Sequence, residues 1–132
     1  MPRSESVYPT ELELAILRIL WDESPLLVRD VRARLEEQSG RRLAHSTVIT
    51  MLNIMHRKGY LTRRKDGKSF LFRPKVRREE ISEQMTEDLV SRLFDGSPSA
   101  LVLNLVETAD LNATELNAIR QIITRKAKEQ QP

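Results

Sequence analysis

A chain of 132 residues has room for one domain, or for a small domain with an appendage. Having no cysteine, it can form no disulfide, thiolate metal site or cysteine nucleophile, and no apolar run approaches the roughly 20 residues that a membrane span requires. The formal charge of +3 hides a division: residues 1–78 hold 17 Lys/Arg against 9 Asp/Glu, whereas residues 79–132 hold 5 against 10. The opening stretch MPRSESVYPTE lacks the apolar core of a signal peptide, so a cytoplasmic protein without membrane insertion is expected.

Thr10-Glu11-Leu12-Glu13 reads as a capping box that opens a first helix, with Pro9 just ahead of it. Leu12, Ile16, Ile19 and Leu20 form its expected buried stripe, and it ends near Trp21-Asp22. Pro25 breaks the chain, and Leu26-Leu27 can supply a short strand. A second helix, from about Val28 to Gln38, buries Val31 and Leu35 and leaves Arg29, Arg32 and Arg34 in water. SGRRLAH then turns the chain into a third helix over 44–58. In that helix Val48, Met51, Leu52 and Met55 fall at i, i+3, i+4 and i+7, one apolar stripe at helical period. Ser46, Thr50, Asn53 and Arg57 stand opposite, with Ile49 at the margin, and Gly59 stops the helix after two cations. YLTRRK and SFLFRP alternate as strands around Asp66-Gly67, a strong hairpin signal. Helix, short strand, helix, helix, strand, strand is the order of a winged helix-turn-helix: three helices plus a small antiparallel sheet.

The remainder reads as helical. Ile81, Met85, Leu89 and Leu93 recur every four residues, so a helix runs from about Arg78 to Asp95, ahead of Gly96 and Pro98. SALVLNLVE is apolar nearly all round and must be buried on all sides. A last helix starts at Asn112, with Glu115 completing an Asn-x-x-Glu start, and Leu116, Ile119 and Ile123 line one face. Three short helices without a sheet make a poor monomeric core; burial against a second copy is the natural solution, with Leu101, Leu105 and Leu116 at its centre. The expected organisation is mainly α, with a winged-helix domain over 1–77 and a helical dimerisation domain over 78–132.

Residues 41–78 hold 12 basic side chains and a single acid, Asp66. A basic surface that coincides with a polar helix face and a hairpin points to double-stranded DNA. Hydroxyl and amide groups at Ser46, Thr47, Thr50 and Asn53, with the methyls of Ile49, suit base edges, whereas Arg57, Arg63, Arg64, Lys65 and Lys68 suit phosphates or the minor groove. Thr47 lies between the buried and exposed faces and could instead cap or pack. No phosphate-binding glycine loop, HExxH, SxxK or GxSxG motif is present, and carboxylates are scattered, so neither an enzyme nor a catalytic residue is expected. His45 and His56 lie about three turns apart on one helix and cannot share a metal within one chain; no metal or other cofactor is expected. Trp21 reads as core.

The segments TELELAILRILW, HSTVITMLNIMHRKGYLTRRKDGKSFLFRP and LFDGSPSALVLNLVETADLNATELNAIRQII together resemble the penicillinase-repressor family of bacterial transcription factors, the BlaI/MecI group, over nearly the whole chain. The resemblance implies dimers that repress genes through palindromic operators. It also implies recognition residues at the start of the third helix, here Ser46, Thr47, Ile49 and Thr50. It implies relief of repression by a protease of a membrane sensor system that cuts the dimerisation domain after an asparagine; the matching bond is Asn104-Leu105. Two departures bear on the operator: Ile49 and Ile54 stand where relatives carry polar or basic residues, so the relatives' operator sequence is not transferred. The cysteine-rich motif of the family's copper-sensing branch is absent.

Two other readings compete. A winged helix can serve as a protein–protein adaptor whose basic face meets an acidic partner, although adaptors tend to show an exposed apolar patch where this helix is polar. A regulator that senses a small ligand would need a pocket that sequence does not display.

Overall fold

The computed structural model describes residues 8–131, so the opening stretch weighed above as a leader lies, up to residue 7, outside the described residues. The elements are α1 (Glu11–Asp22), β1 (Leu26–Leu27), α2 (Val28–Ser39), α3 (His45–Arg57), β2 (Leu61–Asp66), β3 (Ser69–Pro74), α4 (Arg78–Leu93), α5 (Pro98–Thr108) and α6 (Ala113–Glu129). The chain divides into two compact units between Met85 and Thr86, inside α4. The first unit is a winged helix.

The first two turns of α4 belong to that unit, although the sequence pattern places the border after residue 77. Contacts at the end of α1 explain the difference. The Arg78 guanidinium lies 5.3 Å from the centroid of the Trp21 ring and 3.9 Å from the Asp22 carboxylate, and Ile81 is buried. The Trp21 indole N–H donates to the Val76 carbonyl at 2.9 Å, which fixes the chain between β3 and α4.

Thr10 caps α1 as its sequence implies: the Glu13 N–H donates to the Thr10 hydroxyl, and the Thr10 N–H donates to the Glu13 carboxylate. The buried face of α1 is Ile16, Leu17, Ile19 and Leu20, while Leu12 is only partly buried. Leu17 replaces Leu12 in the stripe because α1 packs on both α2 and β3, so its covered arc is wider and lies further along the helix than one stripe predicts. These side chains meet Val31 and Leu35 of α2, Val48, Leu52 and Met55 of α3, and Leu26, Leu61 and Phe72 of the sheet in one apolar core. Arg34, expected in water, is half-buried and bonds through its guanidinium to Glu23 at 2.9 and 3.1 Å.

One charge lies inside this unit. Glu13 is 1% exposed, and its two oxygens accept from the Lys58 ammonium at 3.3 and 3.1 Å. The cation that ends α3 therefore ties that end to the first turn of α1.

The sheet is antiparallel with order β1-β3-β2. Asp66 pairs with Ser69, so the turn is Gly67-Lys68, one residue later than an Asp-Gly turn. Gly67 takes φ +63° at the first central position while Lys68 stays at negative φ, the pattern of a type II′ turn. That register decides which side chains stand opposite one another across the wing.

In the second unit, α4 stops at Leu93, two residues before the expected end. Asp95 and Gly96 turn left-handed, at φ 50° and 78°, and the Gly96 N–H returns to the Val90 carbonyl at 2.9 Å. Ser97 caps α5 with Pro98 just inside it, and Asn112 and Glu115 form the capping box of α6. No residue of α5 or α6 is buried. The all-round burial expected for SALVLNLVE is not supplied within the chain: Val102, Leu103, Leu105 and Val106 of α5 stand exposed, as do Leu116, Ile122 and Ile123 of α6. Among the described residues, no helix is long and apolar enough to cross a membrane.

Candidate nucleic-acid interface

With Val48, Leu52 and Met55 in the core and Met51 half-buried, α3 turns Ser46, Thr47, Ile49, Thr50, Asn53 and Arg57 to its exposed side. Thr47, ambiguous by angle, is exposed with its neighbours. Ile49 is 37% exposed, so its methyls can be reached. Ala44 occupies the N-cap and offers no side-chain hydrogen bond, in contrast to Thr10, Ser97 and Asn112 at other helix starts. The Thr47 N–H donates to the Ala44 carbonyl at 3.1 Å, and no side chain of the N-cap serves the N–H groups ahead of it.

The hairpin sorts its cations by strand register. Arg63 pairs with Phe72 and Lys65 with Phe70, and direct partners share a face, so both belong to the side of the sheet that meets the core and α3. There the Arg63 guanidinium lies 4.5 Å from the Phe70 ring centroid, and its Nη1 donates to Asn53 Oδ1 at 2.9 Å. Arg64 pairs with Leu71 and so belongs to the opposite face, with Thr62 and Arg73. Lys68 sits in the turn. The ten side chains expected to contact DNA are all exposed, but the hairpin cations among them divide between the two faces of the wing. Between α3 and the hairpin lies a hollow of about 350 Å³. Leu27, Ile49, Phe70 and Phe72 supply its apolar side, and Arg29, His45, Asn53, Arg63 and Lys68 its polar side. No Asp or Glu borders it.

Ion pairing divides the basic residues of 41–78. Arg41 pairs with Glu11 at 3.3 Å, Arg42 with Glu36 at 3.1 Å, Lys58 with Glu13 at 3.1 Å, Arg77 with Glu80 at 3.0 Å and Arg78 with Asp22 at 3.9 Å. Hydrogen bonds from the Arg77 side chain and backbone hold the Glu80 carboxyl below the ordinary carboxylate range. Arg57, Arg63, Arg64, Lys65, Lys68, Arg73 and Lys75 have no acidic partner among the described residues. The unpaired positive charge is therefore concentrated on the end of α3 and on the hairpin. Sequence reasoning passes over Arg29 at the rim of the hollow and Arg73 on the far face of the wing. The alternation of β3 carries a signal for Arg73 once the register Thr62–Arg73 is known; Arg29 has no local signal.

On α5 and α6, Leu101 is half-buried, and Leu105, Leu116 and Asn104 are exposed. The Thr108 hydroxyl donates to the Asn104 carbonyl at 2.6 Å, so the carbonyl of the Asn104-Leu105 bond is engaged within the helix.

Known proteins resemble the chain along most of its length. The penicillinase repressor of Bacillus licheniformis is 26% identical over 114 residues, which span 86% of this chain and 88% of the relative. The methicillin resistance regulatory protein MecI of Staphylococcus aureus (strain N315) is 25% identical over 114 residues, 86% of this chain and 91% of the relative. The solved structure of RosR from H. salinarum matches with a TM-score of 0.50 at 18% identity, covering 91% of this chain and 94% of that one, a likeness of fold alone. The sequence model of the family described as penicillinase repressor matches residues 9–125, which take in α3, the hairpin, α5 and most of α6. The chain belongs to the penicillinase-repressor family of winged-helix transcriptional regulators.

Proposed function

We propose that the protein is a homodimeric transcriptional repressor that binds palindromic operator DNA through α3 and the β2–β3 hairpin. The observation that carries this reading is the coincidence of α3's exposed polar face with the cations Arg57, Arg63, Lys65 and Lys68, none of which has an acidic partner among the described residues, with Arg64 on the other face of the same hairpin. Ser46, Thr47, Ile49, Thr50 and Asn53 read the major groove in this proposal, Ile49 through a thymine methyl, and the cations hold phosphates. The relatives' names, penicillinase repressor and methicillin resistance regulatory protein, favour the repressor role.

The exposed large apolar side chains of α5 and α6 support the dimer, since such side chains gathered on two short helices suit burial against a second copy. A two-fold dimer presents two copies of α3 to half-sites about one helical turn, or a multiple of it, apart. Selection of bound duplexes from a random pool tests the whole reading. Inverted repeats at that spacing are expected, and enrichment of single sites or of no sequence would contradict it. Repeating the selection with Thr50→Ala should alter preference at one base pair by roughly 1–3 kcal/mol, while Lys68→Ala should weaken all sequences alike.

Release from DNA, in the same proposal, follows cleavage at Asn104-Leu105 by the protease of a membrane sensor system. Cutting α5 would remove the tethering of two half-sites, on which a dimer's affinity rests. With its carbonyl engaged by Thr108 in mid-helix, the bond is reachable only after local opening. Fragment masses from derepressed cells should place the cut after Asn104; an intact chain under full derepression would exclude this route.

A further inference from the structure

Arg63 belongs by charge to the cations of α3 and the wing that lack an acidic partner among the described residues, yet among Arg57, Arg63, Arg64, Lys65 and Lys68 it is the one whose guanidinium is both stacked on a ring and hydrogen-bonded to a side chain. One side covers the Phe70 ring at 4.5 Å, and Nη1 donates to Asn53 at 2.9 Å. Phe70 is itself seated: its ring centroid lies 6.4 Å from that of Phe72, which is 1% exposed in the core. A continuous path therefore runs from the core through Phe72, Phe70 and Arg63 to an amide on the exposed face of α3. Each link is an interaction of known energetic sign, aromatic packing followed by cation–π and a charge-assisted hydrogen bond.

The chemistry of that last bond fixes how the amide is turned. A guanidinium has donors only, so the Asn53 atom facing it must be the carbonyl oxygen. The amide nitrogen, with its two donors, then points away from Arg63. An asparagine free to rotate presents oxygen and nitrogen side by side and takes adenine, accepting from N6 and donating to N7. With the oxygen turned toward the wing, one of its lone pairs is taken by Arg63, and setting oxygen and nitrogen side by side on adenine would draw the amide away from that bond. The amide so turned offers donors, which match guanine O6 and N7 or thymine O4.

We infer that Arg63 is a positioning residue for sequence readout: docked on Phe70, it holds the Asn53 amide as a donor and biases the base pair beneath it against adenine. This inference rests on the proposed reading of DNA by α3. Arg63 then differs in kind from Arg64, which carries the same charge on the next residue but belongs to the other face of β2 and touches neither Asn53 nor Phe70.

The test compares binding profiles of the full-length protein over a library of duplexes that varies every base pair of the selected site. Wild type, Arg63→Met, Arg64→Met, Asn53→Ala and the Asn53→Ala/Arg63→Met double variant are measured at one salt concentration. Arg63→Met keeps an unbranched side chain on Phe70 and removes every donor. It is expected to raise the preference for adenine at one base pair per half-site by roughly five- to tenfold, within the discrimination that a bidentate amide–adenine pair supplies, beyond any uniform loss. Arg64→Met should scale all sequences equally. In the Asn53→Ala background the Arg63→Met change should leave the profile at that base pair unmoved, because there is no amide left to release. If wild type binds and Arg63→Met merely scales all sequences as Arg64→Met does, Arg63 is one more phosphate ligand and the inference is overturned. A profile change that persists without Asn53 would overturn it equally. Failure of wild type to select any sequence would instead defeat the DNA-reading proposal on which it stands.

Discussion

Leu105→Asp is expected to leave the protein monomeric and to cut operator affinity by roughly two to four orders of magnitude, the range that tethering two binding events supplies. Leu105 stands 49% exposed on α5, amid Val102, Leu103 and Val106, on a helix with no buried residue in the single chain. In the proposed dimer that surface is covered, and a carboxylate there would lose its water without acquiring a cation, a cost of several kcal/mol. The start of α5 is secured by Ser97 and Pro98, which the substitution does not touch, so its effect should fall on association rather than on helix formation. Sedimentation and operator titration of the same sample check both halves. A variant that stays dimeric and binds normally would place the interface elsewhere.

Lys58→Met is expected to destabilise the winged helix by about 3–5 kcal/mol, the range for breaking a buried ion pair from one side. Glu13 would be left at 1% exposure with the Thr10 N–H as its remaining partner. The Lys58 side chain is itself only 17% exposed, so water replaces the ammonium poorly. The cause can be separated from lost packing: Glu13→Gln/Lys58→Met removes both charges, preserves an acceptor for the Thr10 N–H, and should recover most of the loss. Urea unfolding of the three proteins gives the comparison. A single variant within about 1 kcal/mol of wild type, the size of an ordinary substitution effect, would show that the pair contributes little. The same ion pair ties the end of α3 to the first turn of α1.

The elements that were legible in sequence are those specified by neighbours. The Thr10–Glu13 and Asn112–Glu115 boxes, the 48/51/52/55 stripe, Gly59 after α3 and the glycine of the wing each act within a few residues, and each element they mark is present. What was hidden depends on partners far along the chain. Glu13 reads as a helix-capping surface acid; it is buried because Lys58, forty-five residues later, closes over it. Arg63 and Asn53 read as two independent DNA ligands, and only the packing of the wing on α3 joins them. The turn centre lies one residue beyond Asp66-Gly67, with Gly67 and not Lys68 at positive φ, and that register sets Arg63 opposite Phe72 and Arg64 opposite Leu71, partners that alternation along either strand does not name. Leu12 and Leu17 exchanged roles for the same reason, since the arc of α1 that is covered depends on β3 as well as α2.

Affinity for the selected duplex as a function of salt bears most directly on whether this surface binds DNA. Each phosphate neutralised contributes about −0.9 to the slope of log K against log salt. With about four or five of the unpaired wing and α3 cations on phosphates in each of two subunits, a slope on the order of −6 to −10 is expected. An affinity that stays flat between low and moderate salt would contradict DNA binding by this face and would favour an acidic or apolar protein partner instead.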